Sequence, residues 1–471
     1  MHKAKIIATI GPASRDKDIL EKLFLEGASI FRLNLSHKLK EELIEDVDII
    51  RGISRKRRSS ITIIADLPGP KIRVSNLKDD LLVNESETIF ITKNVINEKN
   101  TKKITLNNPN IIDDIKIGES IFIDDGLIRL KIIGREKDDL ICKILNDGII
   151  KPNKGVNFPH SKLNIEYPTP KDIEWIEYIT KNDLCDYFAL SFIRTKEDVE
   201  KAKGIISSNN SKIKIIAKIE KNEAIKNLDS IIDLSDAIMV ARGDLGIELP
   251  IEEVPLLQKM IIKRCNQAGK PVITATQMLE SMVHNPTPTR AEVADIANAV
   301  LDGTDALMLS AETAVSHDPI SVVKIMRKII ENTEESIHNE QIRTHIAGKN
   351  QLNLSDAIAY AASSIADDIK ASYVVCLTTS GSTAQRISKY RPSVPILVLS
   401  NSEKVLNMCE LLWGVKPIYA ELTDDVAESI EISKKKLSEY KLTKPGDRIV
   451  FTLGTPMGVS GTTNLIEVIN I

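Results

Sequence analysis

The chain has 471 residues, 42% of them hydrophobic and 27% charged, with a formal charge of −3 at pH 7 and a pI near 6.3. That length exceeds what one hydrophobic core usually supports, so roughly two to four domains are expected, and the nearly balanced charge gives no global reason to bind nucleic acid. Five cysteines, at 142, 185, 265, 376 and 409, are scattered and show no CxxC or Cys/His metal spacing, which fits a reducing, cytoplasmic setting. The opening MHKAKIIATIGPAS carries a five-residue apolar run before Gly11 and Pro12, and no 18-residue apolar stretch occurs anywhere. Neither a secretory leader nor a membrane span is expected.

Apolar runs read as buried strands and period-3.6 segments as helices. Strand 5–10, helix 17–26, strand 30–35, helix 40–53 and strand 61–66 open the chain in βα alternation. After Pro68-Gly69-Pro70 the texture changes. From about Ile72 to Phe158, short alternating runs such as ETIFITK and DLICKIL are separated by Asn, Asp and Gly, with no convincing helix; this is the pattern of an inserted β domain. Alternation resumes with helix 171–180, strand 187–192, helix 196–207, strand 212–219 and helix 223–232. It continues through strand 237–241, helix 255–268, strand 272–276, helix 290–301, strand 306–310 and helix 320–336. Eight strands alternating with helices is the stoichiometry of an α/β fold of the (β/α)8 TIM barrel type. A polar linker at 340–352 (EQIRTHIAGKNQL) is followed by strands at 374–378, 396–400, 418–420 and 448–453, read as a separate open α/β domain. The expected divisions are 1–69 and 165–340 for the barrel, 70–164 for the all-β insertion and 341–471 for the C-terminal domain.

In such barrels, active sites gather at the C-terminal ends of the strands. Strand two ends in Arg32, Asn34, Ser36 and His37, strand three in Asp66, and strand five in Lys218 and Glu220. Strand six ends in Arg242 and Asp244, strand seven in Thr276 and Gln277, and strand eight in Ser310 and Glu312. A spacing of two puts side chains on one face of a strand, so these groups are expected to converge. Arg32, Lys218 and Arg242 would supply positive charge, and Glu220 and Asp244 are carboxylates suited to share a hard divalent cation such as Mg2+. A lysine, an arginine and a metal around one pocket are what phosphoryl transfer requires. No Walker lysine loop or protein-kinase HRD signature is present. Taken singly, each group has a plainer reading. Lys218 and Glu220 could be a surface ion pair, His37 a helix cap, Asp244 a turn former, and Thr276 and Ser310 partners of backbone groups. The run Arg55-Lys56-Arg57-Arg58 reads as a solvated helix end.

The segments TIGPAS (9–14), RLNLSH (32–37), DLPGPKIR (66–73), NKGVNFP (153–159), KIE (218–220), ARGDLG (241–246), ATQMLESM (275–282) and LSAETA (309–314) resemble, in the same order, those of the pyruvate kinase family. The resemblance spans nearly the whole barrel. It implies a barrel with a β lid at 70–164 and an allosteric C-terminal domain, and transfer of a phosphoryl group from phosphoenolpyruvate to ADP as the last step of glycolysis. Carried onto this chain, Lys218 would neutralise the transferring group, and Glu220 and Asp244 would hold Mg2+ or Mn2+. The Gly243 backbone and the Thr276 hydroxyl would grip the substrate carboxylate. Arg32 and Arg73 would contact phosphate oxygens, while Asn34, Leu35, Ser36, His37, Arg73 and Lys154 would face the nucleotide. The enolate would be protonated through Thr276 or Ser310.

One departure stands out. Asn34, Ser36, Asp66 and the Leu67 carbonyl match the family's monovalent-cation ligands, yet Lys71 replaces the glutamate typical of K+-requiring members. The resemblance therefore implies activity without K+, the Lys71 ammonium standing in for the ion. In the C-terminal part, Thr378, Thr379, Ser380, Gly381, Ser382 and Thr383 follow a strand and open a helix, offering hydroxyls and free N–H groups to a phosphate. They resemble the family's effector pocket, with Gly454 to Asn464 as a second loop, and fructose 1,6-bisphosphate, ribose 5-phosphate and AMP are all open as effectors. A homotetramer is implied, without nucleic-acid or membrane partners. Two rivals stand beside this reading. Another enolate-handling barrel enzyme is opposed by the insertion and the C-terminal domain. A phosphate-sensing scaffold without catalysis is opposed by retention of Lys218, Glu220 and Asp244.

Overall fold

The structure is a computed structural model that describes residues 2–36, 38–94, 102–159, 161–336, 353–457, 459 and 461–471. Eight parallel strands close a barrel: Lys5–Thr9, Ala28–Asn34, Thr62–Asp66, Tyr187–Leu190, Lys214–Ile219, Ala237–Ala241, Val272–Ala275 and Ala306–Leu309. The first strand pairs with the last, Lys5 lying beside Ala306. Strand side chains alternate between two cores, which is why these segments are apolar on both faces. Ile7, Ile30, Ile64, Ile216, Met239 and Ile273 fill the interior, whereas Ile6, Phe31, Ile63, Ala217 and Val240 pack against the surrounding helices. Several helices start where a side chain satisfies the free N–H groups of the first turn. Thr169 with Asp172 and Thr289 with Glu292 form reciprocal capping boxes ahead of Pro170–Asn182 and Arg290–Leu301.

Between the third and fourth barrel strands the chain forms a seven-stranded sheet and a two-stranded sheet, around a cluster that includes Ile89, Ile91, Leu130 and Cys142. The C-terminal part carries a five-stranded sheet in the order Val415–Tyr419, Ile396–Ser400, Tyr373–Leu377, Arg448–Gly454 and Thr463–Asn470. Its first four strands are parallel and its last is antiparallel. No described helix is long and apolar enough to cross a membrane.

Local differences from the sequence expectations have physical causes. The helix expected at 223–232 is two helices, Asn222–Lys226 and Leu228–Leu234, because the Asn227 amide donates to the carbonyls of Arg194 and Glu223 and draws the backbone out of helical geometry. The second helix runs Lys40–Arg57 rather than ending at 53, as its polar last turn carries no apolar periodicity to announce it. A 3₁₀ turn, Pro109–Asp114, interrupts the insertion, where no helix was expected. Strand Thr463–Asn470 was not anticipated: an edge strand with one wet face has few buried residues. The linker expected at 340–352 lies outside the described residues.

Barrel and C-terminal sheet meet at the end of the barrel where the strands begin. Met408 and Leu411 join the interior cluster, the Tyr187 hydroxyl donates to the Met408 carbonyl at 2.9 Å, and Thr62 donates to the Asn407 carbonyl. Two buried ion pairs cross the joint: Lys5 Nζ lies 2.8 Å from Glu410 Oε1, and Arg391 Nη2 lies 2.9 Å from Asp305 Oδ1. Removing one partner of such a pair strands the other charge, at a cost of about 3–5 kcal/mol. Arg391→Ala is therefore expected to lower the thermal midpoint well below that of Arg264→Ala, whose partner Asp229 is 75% exposed. Equal midpoints would show the buried pair to be dispensable.

Candidate active site

The C-terminal ends of the first five barrel strands converge on one buried ammonium. Lys218, next to last in its strand, places Nζ 2.9 Å from Glu220 Oε1, 3.2 Å from Asp66 Oδ1 and 2.8 Å from Ser191 Oγ. Asp66, the last residue of strand three, receives Arg32 Nε on its other oxygen at 2.7 Å. Arg32 is held in turn by Thr9 Oγ1 at 3.1 Å. The Ser191 hydroxyl donates to the Leu67 carbonyl at 2.8 Å, and Glu220 Oε2 accepts the Phe192 N–H at 2.8 Å.

The electrostatics follow from this arrangement. Burial alone would depress the Lys218 ammonium, but Asp66 and Glu220 outweigh it and hold the group charged well above the ordinary lysine range. Burial pushes Asp66 up, and the two cations Lys218 and Arg32 bring it to a net position below the usual carboxylate range. Glu220 ends above that range, because burial together with repulsion from Asp244 exceeds the pull of Lys218. The negative charge of Asp244 is thus part of what raises Glu220.

Asp244 reaches this centre by a route that the sequence did not suggest. Arg242–Glu248 is a short helix beginning where strand six ends, so Asp244 sits on its first turn and not on a strand face. The expected role of Arg242 as a site cation also needs correction. Its guanidinium is taken by Asp295 at 2.5 Å, the Thr276 carbonyl at 2.7 Å and the Ala275 carbonyl at 3.3 Å. These contacts brace a strained segment. Thr276 and Gln277 have φ of 71° and 54°, a left-handed pair that a β-branched residue rarely adopts. Glu312, fully buried, ties the same segment to strand eight by accepting Met278 and Leu279 N–H through Oε1 and Ser310 N–H through Oε2. The result sets Thr276 Oγ1 2.9 Å from the Gly243 nitrogen.

The remaining expected residues are spread more widely. Asn34 Oδ1 accepts Ser36 N–H, and Leu35 N–H bonds the Asp66 carbonyl, which fixes the loop after strand two beside the charged centre. Arg73 and Lys154 lie in the insertion, Arg73 Nη1 on the Asn153 carbonyl at 3.0 Å and Lys154 Nζ 2.9 Å from Asp124. Lys71 stands beside Gly155, with no carboxylate at ion-pair distance among the described residues. His37 lies outside the described residues. In the C-terminal domain, Thr378, Thr379, Ser380, Ser382 and Thr383 line a cavity with Asn401, Asp424 and Thr462, while Gly381 takes φ +82° where an added Cβ would lie 2.9 Å from Cys409 Sγ. Sequence reasoning missed Ser191 and Thr9. Both lie at or just past the C-terminal ends of strands four and one, and neither carries a charge to mark it in the sequence.

Known proteins resemble this chain over nearly its whole length. The pyruvate kinase barrel-domain profile matches residues 1–323, and the pyruvate kinase α/β-domain profile matches residues 356–469. A pyruvate kinase of Staphylococcus epidermidis is 40% identical over 479 aligned positions, covering 99% of this chain and 80% of its own length. That of Clostridium acetobutylicum is 39% identical over 472, covering 99% of both chains. The crystal structure of a pyruvate kinase from Cryptosporidium parvum superposes with a TM-score of 0.94 at 34% identity, covering 100% of this chain and 96% of the other. The chain belongs to the pyruvate kinase family, phosphotransferases that move a phosphoryl group from phosphoenolpyruvate to ADP with the help of a divalent metal.

Proposed function

We propose that Lys218 stabilises the phosphoryl group in flight and that Asp66 and Glu220 keep its ammonium charged and aimed. The observation that carries this reading is the buried Lys218 ammonium facing both carboxylates within 3.2 Å, since charge fixed before the reaction needs no reorganisation during it. Arg32, anchored on Asp66, would take a phosphate oxygen. The Gly243 N–H and the Thr276 hydroxyl, bonded to each other in the structure, would instead receive the substrate carboxylate. Proton delivery to the enolate carbon would run through the hydroxyl of Thr276 or Ser310.

Glu220 and Asp244 would hold Mg2+, or Mn2+ in its place. They are hard oxygen donors, and two carboxylates leave most of a six-coordinate shell to water and substrate oxygens. When bound, the metal supplies Lewis-acid neutralisation of phosphate charge. Asn34, Leu35, Ser36, His37, Arg73 and Lys154 would face the nucleotide, with the insertion acting as a lid that keeps water from the phosphoryl group. The position of the monovalent ion would lie at Asn34, Ser36, Asp66 and Leu67, where Lys71 supplies the positive charge. A Lys71 ammonium with no carboxylate at ion-pair distance among the described residues, and a Leu67 carbonyl already bonded to Ser191, support that reading. Thr378, Thr379, Ser380, Gly381, Ser382 and Thr383 would bind a sugar-phosphate or nucleotide effector. Five buried free thiols suit a cytoplasmic enzyme, and the reading expects a homotetramer.

In an assay coupled to pyruvate release, with phosphoenolpyruvate, ADP and Mg2+, Lys218→Met should lower kcat by roughly 100- to 1000-fold, about 2.7 to 4 kcal/mol. A kcat equal to the parent's would remove the proposed role. The parent should keep most of its rate when Na+ or tetramethylammonium replaces K+, and Lys71→Glu should make the rate depend on K+. A parent that loses most of its rate without K+ would refute the substitution of ammonium for ion.

A further inference from the structure

The basic run at the end of the second helix is not uniformly solvated. Lys56 Nζ lies 2.8 Å from Glu21 Oε2 and Arg57 Nη2 lies 2.5 Å from Glu21 Oε1, so one carboxylate takes both middle cations. Arg55 and Arg58 have no carboxylate at ion-pair distance among the described residues. They line a cavity of about 500 Å³, remote from Lys218, between the barrel and the C-terminal domain. Arg58 leaves the helix in the left-handed region (φ 49°), which turns the chain into Ser59 and Ser60 on the same wall. Across from them stand Tyr419 and Tyr440, 43% and 38% exposed, and Lys436. The acids on the lining are Glu439, already 2.9 Å from Lys436, and Glu403.

The helix C-terminal dipole favours cations in the last turn, which accounts for a basic end but not for two guanidiniums that face a cavity of ligand size with no carboxylate at ion-pair distance among the described residues. Guanidinium forks recognise phosphate and carboxylate oxygens in pairs, and exposed tyrosine rings offer flat apolar surface to the body of such a molecule. We propose that this groove binds a small polyanionic metabolite, its phosphate or carboxylate groups held by Arg55 and Arg58 and its body lying against Tyr419 and Tyr440. The site is separate from the cavity at residues 378–383. Its barrel wall leads directly into strand Thr62–Asp66, which starts on the Asn407 carbonyl and ends at the carboxylate that holds Lys218 and Arg32. Occupancy therefore bears on the strand that positions the charged centre, and is expected to alter saturation by phosphoenolpyruvate.

The test uses the full-length protein and two probes, ribose 5-phosphate for the phosphate source and citrate for the carboxylate source. Binding is measured by calorimetry on the parent, on Ser382→Glu to disable the other cavity, and on Arg55→Ser/Arg58→Ser, with Arg55→Lys/Arg58→Lys as the charge-preserving control. At least one probe should bind the parent and Ser382→Glu alike, bind the lysine control with intermediate affinity, and weaken about tenfold or more in the serine double variant, the loss expected for removed charge-assisted hydrogen bonds. Which probe binds identifies the source. The same probe should shift half-saturating phosphoenolpyruvate by about fivefold in Ser382→Glu, where the other cavity is disabled, and not when Arg55→Ser/Arg58→Ser is added to it. The proposal is overturned if neither probe binds, if binding survives the serine double variant undiminished, if Ser382→Glu alone abolishes it, or if binding leaves saturation unmoved.

Discussion

An ammonium in the wall of a barrel is expensive to keep, and much of this structure can be read as the arrangement that keeps it. Burying a lone lysine charge costs several kcal/mol, and Lys218 is among the buried residues. Two carboxylates and a hydroxyl face it, but Asp66 is itself buried and needs Arg32, and Arg32 leans on Thr9. The compensation therefore runs around half the circumference, from strand one through strand five. A closed barrel suits this purpose because its register fixes which residue ends beside which. Asn34 lies across from Asp66, and Asp66 across from Ala189, so a one-residue slip in any strand would unpair the whole set.

The other half of the rim is held by backbone rather than by charge. The left-handed pair Thr276 and Gln277 costs of order 1–3 kcal/mol per residue, and it persists because Arg242 and Glu312 bond the flanking carbonyls and N–H groups from two neighbouring strands. Catalytic barrels need groups at their mouths that are both polar and rigid. Here one side achieves rigidity with an ion-pair network and the other with a braced, strained turn.

How much of this could be read from the chain depended on whether the signal was local. Strand and helix order was legible because apolar runs of period two and 3.6 are local, and segments such as KIE and ARGDLG carried the family resemblance. What escaped was cooperative. Arg242 read as a site cation because its charge is visible in sequence, whereas its partners Asp295 and the Thr276 carbonyl are distant. Asp244 read as a strand residue because Gly243 conceals a helix start. Ser191 leaves no mark in the sequence, since a serine after an apolar run carries no charge. Only the fold shows that it links Lys218 to the Leu67 carbonyl. The run at 55–58 looked uniform until Glu21, from another helix, divided it.

The barrel shares its floor with the C-terminal domain. Met408 and Leu411, supplied by the C-terminal domain, complete the inner apolar cluster, and the joint around them is sealed by Lys5 with Glu410 and by Arg391 with Asp305. The two parts are therefore not interchangeable modules. A chimaera that grafted a foreign effector domain onto this barrel would have to bring its own bung of matching volume and mating charges, or leave an open hole beneath the catalytic cylinder.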